Sequence, residues 1–243
     1  MRTKPRSVVE ACFFPDGRSG RGLAWRQLQS SDPFRMSAKI KCLILATVAV
    51  LLAWWLWPAR PSYANFPPTA TGPWIAFGDS LTAGYGAEPG HDYPTLLSRR
   101  LGAEIKNFGE YGDTTRTGLD RVESVARLQP RVVLLCLGGN DALQQLPREQ
   151  TFRNLAAIID RLQQHGTFVV LIGIRSTTVR DRNASRFKRL AREKGVLYVP
   201  NMLGGVLAHP DLMSDYVHPN DQGYEVIARR LEKAVRPLMP KLK

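Results

Sequence analysis

Short apolar runs alternate with segments of helical periodicity along most of this chain, beginning near residue 74. The runs of strand length cover residues 74–77, 103–108, 131–138, 167–174 and 196–200. The segments with apolar residues at helical spacing cover 93–101, 118–128, 148–166, about 183–194 and about 221–236. Because strands and helices alternate, the pattern predicts an α/β fold in which helices cover both faces of a parallel sheet.

The N-terminal quarter is dominated by one uninterrupted apolar run, residues 42–57. The run carries no charge, and Lys39, Lys41 and Arg60 flank it. Its length lies between that of a signal-peptide core and that of a membrane-spanning helix, so both interpretations stay open. The small residues of the following sequence SYA favour cleavage before Asn65, and the alternative is retention as a membrane anchor.

These patterns predict four parts along the chain. They are a basic, disordered region 1–41, the signal-peptide core or anchor 42–57, a Pro-rich linker 58–72 and a folded domain 73–240. Met36 is an alternative start. The excess of Lys and Arg before the apolar run places region 1–41 in the cytoplasm. The domain is therefore expected to be exported across the cytoplasmic membrane, and to be periplasmic, secreted or anchored through residues 42–57.

Charge and cysteine content narrow the range of partners. The formal net charge is +13, of which residues 1–64 carry +7 and residues 65–243 carry +6. Because no block of Lys and Arg is interleaved with aromatic residues, nucleic acid is not an expected partner. Only Cys136 follows the apolar run, which excludes an internal disulfide in the domain. The Cys and His residues have no metal-ligand spacing, so no metal and no cofactor is expected.

Four clusters of small and polar residues lie at or near predicted strand ends. They are GDS at 78–80, GEYGDTT at 109–115, GGND at 138–141 and DYVHPN at 215–220. Parallel sheets bind ligands beyond the carboxyl ends of their strands. The sequence therefore predicts the chemistry of the domain in these four loops.

Two of these clusters, at 78–80 and 215–220, contain candidate residues for a hydrolytic site. Ser80 is a candidate nucleophile, which needs an adjacent base because a serine hydroxyl is a poor nucleophile at neutral pH. His218 is the candidate base, since the unperturbed pKa of histidine lies near the physiological range. Asp215, three residues earlier, can fix the tautomer of His218 and stabilise the imidazolium.

The four clusters, in this order, resemble those of the SGNH (GDSL-type) hydrolase family, most closely its small bacterial lysophospholipase/thioesterase and arylesterase members. The resemblance covers about residues 73–240. It implies a three-layer α/β/α sandwich with a flavodoxin-like, five-stranded parallel sheet. It also implies an oxyanion hole formed by the backbone N–H of Ser80, a backbone N–H of a glycine in the second cluster and the side-chain amide of Asn140. For the glycine we choose Gly112, because it directly precedes Asp-Thr-Thr, with Gly109 as the alternative.

Each site residue also has a structural interpretation. Ser80 is a typical cap for the helix that follows it. Asn140 and Asp141 are typical of a tight turn with side-chain hydrogen bonds to the backbone, and Asp79 is interpreted with Asp141 as a turn or supporting residue. His218, before a proline, is also compatible with an exposed turn.

Two departures from the family pattern bear on the substrate. Tyr216 stands where a small residue is usual, and residues 108–111 are bulkier than usual, so both are expected to shape the mouth of the pocket. The stretch 174–195 is rich in arginine, which favours a polar ester or an anionic headgroup over a long acyl chain; a solvated helix face is the alternative. The arginines in question are Arg175, Arg180, Arg182 and Arg186.

The sequence thus predicts an exported, monomeric serine esterase that hydrolyses carboxylic ester or thioester bonds through an acyl-enzyme. The expected substrate is a small-molecule or lipid ester: an aryl or short-acyl ester, a lysophospholipid or an acyl thioester. The alternative is a non-catalytic exported binding or interaction domain on the same fold.

Overall fold

The computed structural model describes residues 37–56, 62–174 and 182–242. Predictions for residues 1–36, including a start at Met36, lie outside the described residues. The described part of the apolar run lies in helix α1, Ala38–Leu56, and the large aliphatic side chains from Ile40 to Leu52 are exposed. Within the described residues, no helix is both long enough and apolar enough to cross a membrane.

The body of the protein is built on a five-stranded, fully parallel sheet with the strand order β2-β1-β3-β4-β5. The strands are β1 Gly72–Gly78, β2 Ile105–Gly109, β3 Pro130–Cys136, β4 Phe168–Ile172 and β5 Leu197–Val199. This order is that of doubly wound, flavodoxin-like folds. The predicted fold class is confirmed.

Helices follow the strands in chain order and cover both faces of the sheet. They are α2 Ser80–Ala83, α3 Tyr93–Leu101, α4 Thr115–Ala126, α5 Gly139–Leu143, α6 Arg148–Gln164, α7 Arg182–Lys194, α8 Asp221–Val235 and α9 Met239–Leu242. Helices α3 and α8 pack together on one face, and α4, α6 and α7 pack on the other. The result is a three-layer sandwich.

Two hydrophobic cores fill the space between these layers. Within β1, Trp74 and Ala76 point into the core beneath α3 and α8, while Ile75 and Phe77 point into the core beneath α4, α6 and α7. The same alternation holds along β3 and β4. Because both faces of these strands are buried, the strands appear in the sequence as continuous apolar runs.

The predicted elements correspond to observed ones, and three short α-helices were missed. Helices α2 and α5 begin at the ends of β1 and β3 and are four and five residues long, and α9, after α8, has four residues. Helices this short carry no measurable apolar periodicity. The residue that caps α2 is Asp79, whose side chain accepts a hydrogen bond from Leu81 N, and Ser80 is the first helical residue.

The ends of β1 and β2 come unusually close to α2. Gly78 and Gly109 are paired in the sheet, and both face this helix. A Cβ at Gly109 would lie 2.1 Å from the backbone nitrogen of Ala83, and one at Gly78 would lie 2.1 Å from Thr82 Oγ1. Two glycines at paired positions therefore allow α2 to lie directly against the sheet.

Replacing Gly109 with alanine tests this close approach. We expect Gly109→Ala to lower the free energy of unfolding by about 2–3 kcal/mol, because backbone atoms have little freedom to move away from the new methyl group. The matched control is Gly139→Ala in α5, where a Cβ meets nothing closer than 3.3 Å. Urea unfolding of both variants measures the difference, and equal stability of the two would contradict the packing argument.

Candidate active site

Ser80 lies at the carboxyl end of β1, where the chain leaves the sheet and enters α2. The turn is held by the side chain of Asp79 and by main-chain hydrogen bonds from Thr82 and Ala83 to the carbonyl of Asp79. The side chain of Ser80 is partly buried and lines a cavity of about 440 Å³. The first predicted site residue is thus on a rigid support beside a ligand-sized space.

The structure brings His218 and Asp215 to this serine. Ser80 Oγ lies 3.0 Å from His218 Nε2, and His218 Nδ1 lies 2.8 Å from Asp215 Oδ2. With Nδ1–H donating to the carboxylate, Nε2 accepts a hydrogen bond from the Ser80 hydroxyl. The three predicted residues form one continuous hydrogen-bonded chain across 138 residues of sequence.

The turn that carries His218 stabilises its own geometry. Asp215 Oδ1 accepts hydrogen bonds from the backbone N–H groups of Val217 and His218, both at 2.7 Å. The carbonyl of His218 accepts from the backbone and hydroxyl of Ser214. Desolvation acts to raise the pKa of Asp215, but the hydrogen bonds from the imidazole and these N–H groups outweigh it and lower the pKa. The carboxylate therefore stays charged and fixes the imidazole.

The two glycine candidates of the second cluster have different positions. Gly112 lines the cavity, has φ +78°, and would place a Cβ in open space. Gly109 packs against α2 instead. The geometry therefore favours Gly112 over Gly109 as the glycine beside Ser80.

Asn140 also lines the cavity, as the second residue of α5. Its side-chain Nδ2 donates to the backbone carbonyl of Asp113 at 2.9 Å. An amide nitrogen has two protons, so this bond fixes the side chain and leaves one N–H for another acceptor. Asn140 and Gly112 thus face the same space from neighbouring loops.

Arg121 on α4 is a positioning residue that the sequence analysis did not single out. One of its terminal nitrogens donates to the carbonyls of Gly78 and Phe108 at 3.0 and 2.9 Å, and its Nε donates to Asp113 Oδ2 at 2.7 Å. The guanidinium also lies 4.2 Å from the centre of the Phe77 ring. Arg121 therefore links the ends of β1 and β2 to the loop that contains Gly112.

Asp141, at the start of α5, supports the site without facing the substrate. Its carboxylate accepts hydrogen bonds from the backbone N–H and the hydroxyl of Thr115 and from the hydroxyl of Thr151. These bonds connect α4, α5 and α6 behind the cavity. The interpretation of Asp141 as a supporting residue agrees with this geometry.

Asp79 has fewer partners than the other buried carboxyl groups of the site. Its side chain is buried, and Leu81 N is the donor that holds it. Burial raises the pKa of Asp79 to about 7, and the nearby charges of Asp113 and Asp141 add to the effect. Asp79 is therefore partly protonated at neutral pH.

The cavity has aromatic and aliphatic walls. Its aromatic residues are Tyr85, Tyr111 and Tyr216, and Tyr216 is completely exposed at the mouth. Its aliphatic residues include Leu143, Ile174, Leu203 and Leu207. The expectation that the bulky residues 108–111 and Tyr216 shape the mouth agrees with this lining for Tyr111 and Tyr216.

The arginine-rich stretch contributes little to the described cavity. Arg175 and Arg180 lie outside the described residues, as does the side chain of Arg182. Arg186 pairs with Glu149 at 2.9 Å, and its guanidinium lies 5.9 Å from the centre of the Phe152 ring. For Arg186 this contact with α6 agrees with the alternative of a solvated helix face.

The fold and the cavity at the carboxyl ends of its strands define a flavodoxin-like α/β protein with a ligand-sized site, and comparison with known proteins makes the class specific. Residues 76–226 match the model of the GDSL-like lipase/acylhydrolase family. The chain belongs to this family. It is a carboxylic ester hydrolase, as the sequence predicts.

Individual relatives agree with this assignment. The chain is 30% identical to thioesterase 1/protease 1/lysophospholipase L1 of Escherichia coli K12, over 72% of this chain and 88% of that protein. It is similar to the crystal structure of TesA, with a TM-score of 0.63 and 27% identity over 68% of this chain and 98% of the other. It is also similar to AlinE4, an SGNH-hydrolase family esterase, with a TM-score of 0.54 and 34% identity over 70% and 97% of the two chains.

The raised pKa of Asp79 predicts a pH-dependent stability. An acid whose pKa is higher in the folded state than in the unfolded state stabilises the fold most below its unfolded value, here about 4. Its contribution is lost as the pH rises through about 7. We expect the wild type to lose stability relative to Asp79→Asn between pH 4 and 7, because the asparagine oxygen still accepts from Leu81 N but cannot ionise.

Thermal unfolding of both proteins at pH values from 4 to 8 measures this difference. A difference in Tm that does not change with pH would show that the ionisation of Asp79 is not linked to folding.

Proposed function

We propose that the protein is an exported serine esterase that acts through an acyl-enzyme on Ser80. His218 removes the hydroxyl proton as Ser80 Oγ attacks the ester carbonyl. The bond from Oγ to the acyl carbon forms, the bond from that carbon to the leaving oxygen or sulfur breaks, and His218 gives the proton to that atom, which leaves as the alcohol or thiol. Water then repeats the sequence and releases the acid.

The observation that carries this proposal is the unbroken hydrogen-bonded chain from Ser80 through His218 to Asp215. Its two distances, 3.0 and 2.8 Å, lie within the range that a nucleophile and its base require. The Asp215 carboxylate, with its lowered pKa, holds the imidazole in the tautomer whose Nε2 faces the serine. Such a chain has no role in a domain that only binds.

The oxyanion donors that we propose are the N–H groups of Ser80 and Gly112 and the side-chain amide of Asn140. Among the residues that the structure describes, neither of the two backbone N–H groups has a hydrogen-bond acceptor. All three residues line the cavity. Donors that are fixed before the substrate binds stabilise the charge that develops on the carbonyl oxygen without further rearrangement.

The substrates that we propose are aryl or short-acyl esters, lysophospholipids or acyl thioesters. One relative is named a thioesterase and lysophospholipase, and another, from Vibrio mimicus, is named an arylesterase. A cavity of about 440 Å³ with aromatic and aliphatic walls is of a suitable size for such esters. No metal or cofactor enters the proposed reaction.

Ser80→Ala tests the nucleophile. We expect kcat for p-nitrophenyl esters, from acetate to long acyl chains, to fall by a factor of at least about 10³, because the acyl-enzyme can no longer form. The fold should persist, since the hydroxyl is not part of the core. Steady-state hydrolysis and circular dichroism of the purified protein measure the two properties.

Asp215→Asn tests the orienting carboxylate. It keeps an oxygen for the N–H groups of Val217 and His218 but removes the charge, so kcat should also fall severely while the fold remains. If Ser80→Ala retains wild-type turnover, the proposed mechanism is wrong.

We also propose that the enzyme is exported, with residues 42–57 acting as a signal peptide or a retained anchor. The positive charge before this segment supports the orientation. Cleavage before Asn65 would leave a new N-terminus that is already attached to the domain. The Asn65 side chain donates to the carbonyls of Gln163 and Thr167 at 2.8 and 3.1 Å.

Fractionation of cells that express the full chain distinguishes the two forms. A signal peptide predicts a shortened protein, beginning at Asn65, in the soluble periplasmic or extracellular fraction. An anchor predicts full-length protein that stays with membranes after a carbonate wash. Recovery in the cytoplasm alone would contradict export.

A further inference from the structure

The ring of Tyr85 lies beside the imidazole of His218, and the ring of Tyr111 packs against Tyr85. The ring centre of Tyr85 is 4.4 Å from that of His218, and Tyr111 lies 5.5 Å from Tyr85 in a perpendicular arrangement. Both tyrosines line the cavity, yet their exposed fractions are 47% and 69%. The pair therefore presents aromatic surface to whatever occupies the space next to the proposed base.

The position of Tyr85 is fixed by buried groups. Its backbone carbonyl accepts a hydrogen bond from the hydroxyl of Tyr224, and its N–H donates to the carbonyl of Ser80. The next residue, Gly86, has φ +90°, and a Cβ there would lie 2.0 Å from Ser214 Oγ. The loop thus packs against the segment that carries His218. Because the backbone of Tyr85 is held in this way, little conformational entropy is lost when a ligand binds against its ring.

Aliphatic side chains line other parts of the cavity wall. Leu143, Ile174 and Leu203 follow β3, β4 and β5, whereas Tyr85 and Tyr111 follow β1 and β2. The aromatic pair next to His218 therefore comes from two loops that contribute none of these three aliphatic side chains.

The reaction decides which part of the ester meets Tyr85 and Tyr111. His218 gives its proton to the leaving oxygen, so the leaving alcohol must lie against the imidazole. Tyr85 is packed on that imidazole, and Tyr111 on Tyr85. We infer that Tyr85 and Tyr111 form a leaving-group subsite that favours esters of aromatic alcohols. This inference rests on the proposed function.

The expected preference is modest and measurable. An edge-to-face or offset contact between aromatic rings favours binding beyond the area that it buries, and it corresponds to a factor of about two to ten in kcat/KM. Leaving-group chemistry must be held constant to detect such a factor. Benzyl acetate and cyclohexylmethyl acetate serve this purpose, because both release a primary alcohol with a six-membered ring of similar size.

The experiment measures the ratio of kcat/KM for these two esters with the purified full chain in detergent. Tyr111→Ala is the test variant, since the ring that contacts His218 is that of Tyr85. Tyr111→Phe keeps the ring and removes the hydroxyl. Leu143→Ala is the matched control in the aliphatic part of the cavity wall, and the exposed fraction of Leu143, 63%, is close to that of Tyr111.

We expect a ratio of at least about three in favour of the benzyl ester for the wild type, Tyr111→Phe and Leu143→Ala, and a clearly smaller ratio for Tyr111→Ala, in which only the Tyr85 ring remains. A wild-type ratio near one, or a ratio that Tyr111→Ala leaves unchanged, would overturn the subsite. If p-nitrophenyl and benzyl esters are both left intact by the folded wild type, the proposed function itself fails, and the inference fails with it.

Discussion

The site depends above all on the guanidinium of Arg121. From helix α4 it donates hydrogen bonds to the carbonyls that end β1 and β2, those of Gly78 and Phe108, and it pairs with the carboxylate of Asp113. The carbonyl of Asp113 in turn accepts from the Asn140 amide. A planar cation with five donors can satisfy several acceptors in one geometry, which a lysine cannot. One side chain thus sets the spacing between the loop of the proposed nucleophile and the loops of the proposed oxyanion donors.

Three buried carboxyl groups surround this centre, and each is accommodated differently. Asp113 is neutralised by Arg121, whereas Asp141 receives hydrogen bonds from Thr115 and from a second threonine. Among the residues that the structure describes, no cation pairs with Asp79, which is held by a backbone N–H, so burial raises its pKa. Burying a charge is costly unless hydrogen bonds or an opposite charge replace the water. The carboxyl group beside the proposed nucleophile therefore has a pKa of about 7.

The sequence was sufficient to predict the sheet, its long helices and the loops of the site, because apolar periodicity and strand-end clusters are local signals. It missed helices α2, α5 and α9, which are too short to have a period. It also missed Arg121, although one signal was present: this arginine lies three residues after Gly118 and four before Val125, on the buried face of α4. The contact between Tyr85 and His218 had no local signal, since it joins residues that are distant in the sequence.

The proposed base and its proposed orienting carboxylate lie within a single turn, because Asp215 binds both the imidazole and the backbone N–H of His218. The proposed nucleophile, in contrast, is fixed to the sheet. The distance between Ser80 and the turn that carries His218 must also be set. The loop of Tyr85 and Gly86 sets it by packing against that turn. A protein could lose this contact without losing its core. The contact is nevertheless supported by Gly86, with its positive φ, and by the buried hydroxyl of Tyr224. This support favours an enzyme over a binding domain, because binding alone does not require a serine and a histidine at a fixed distance.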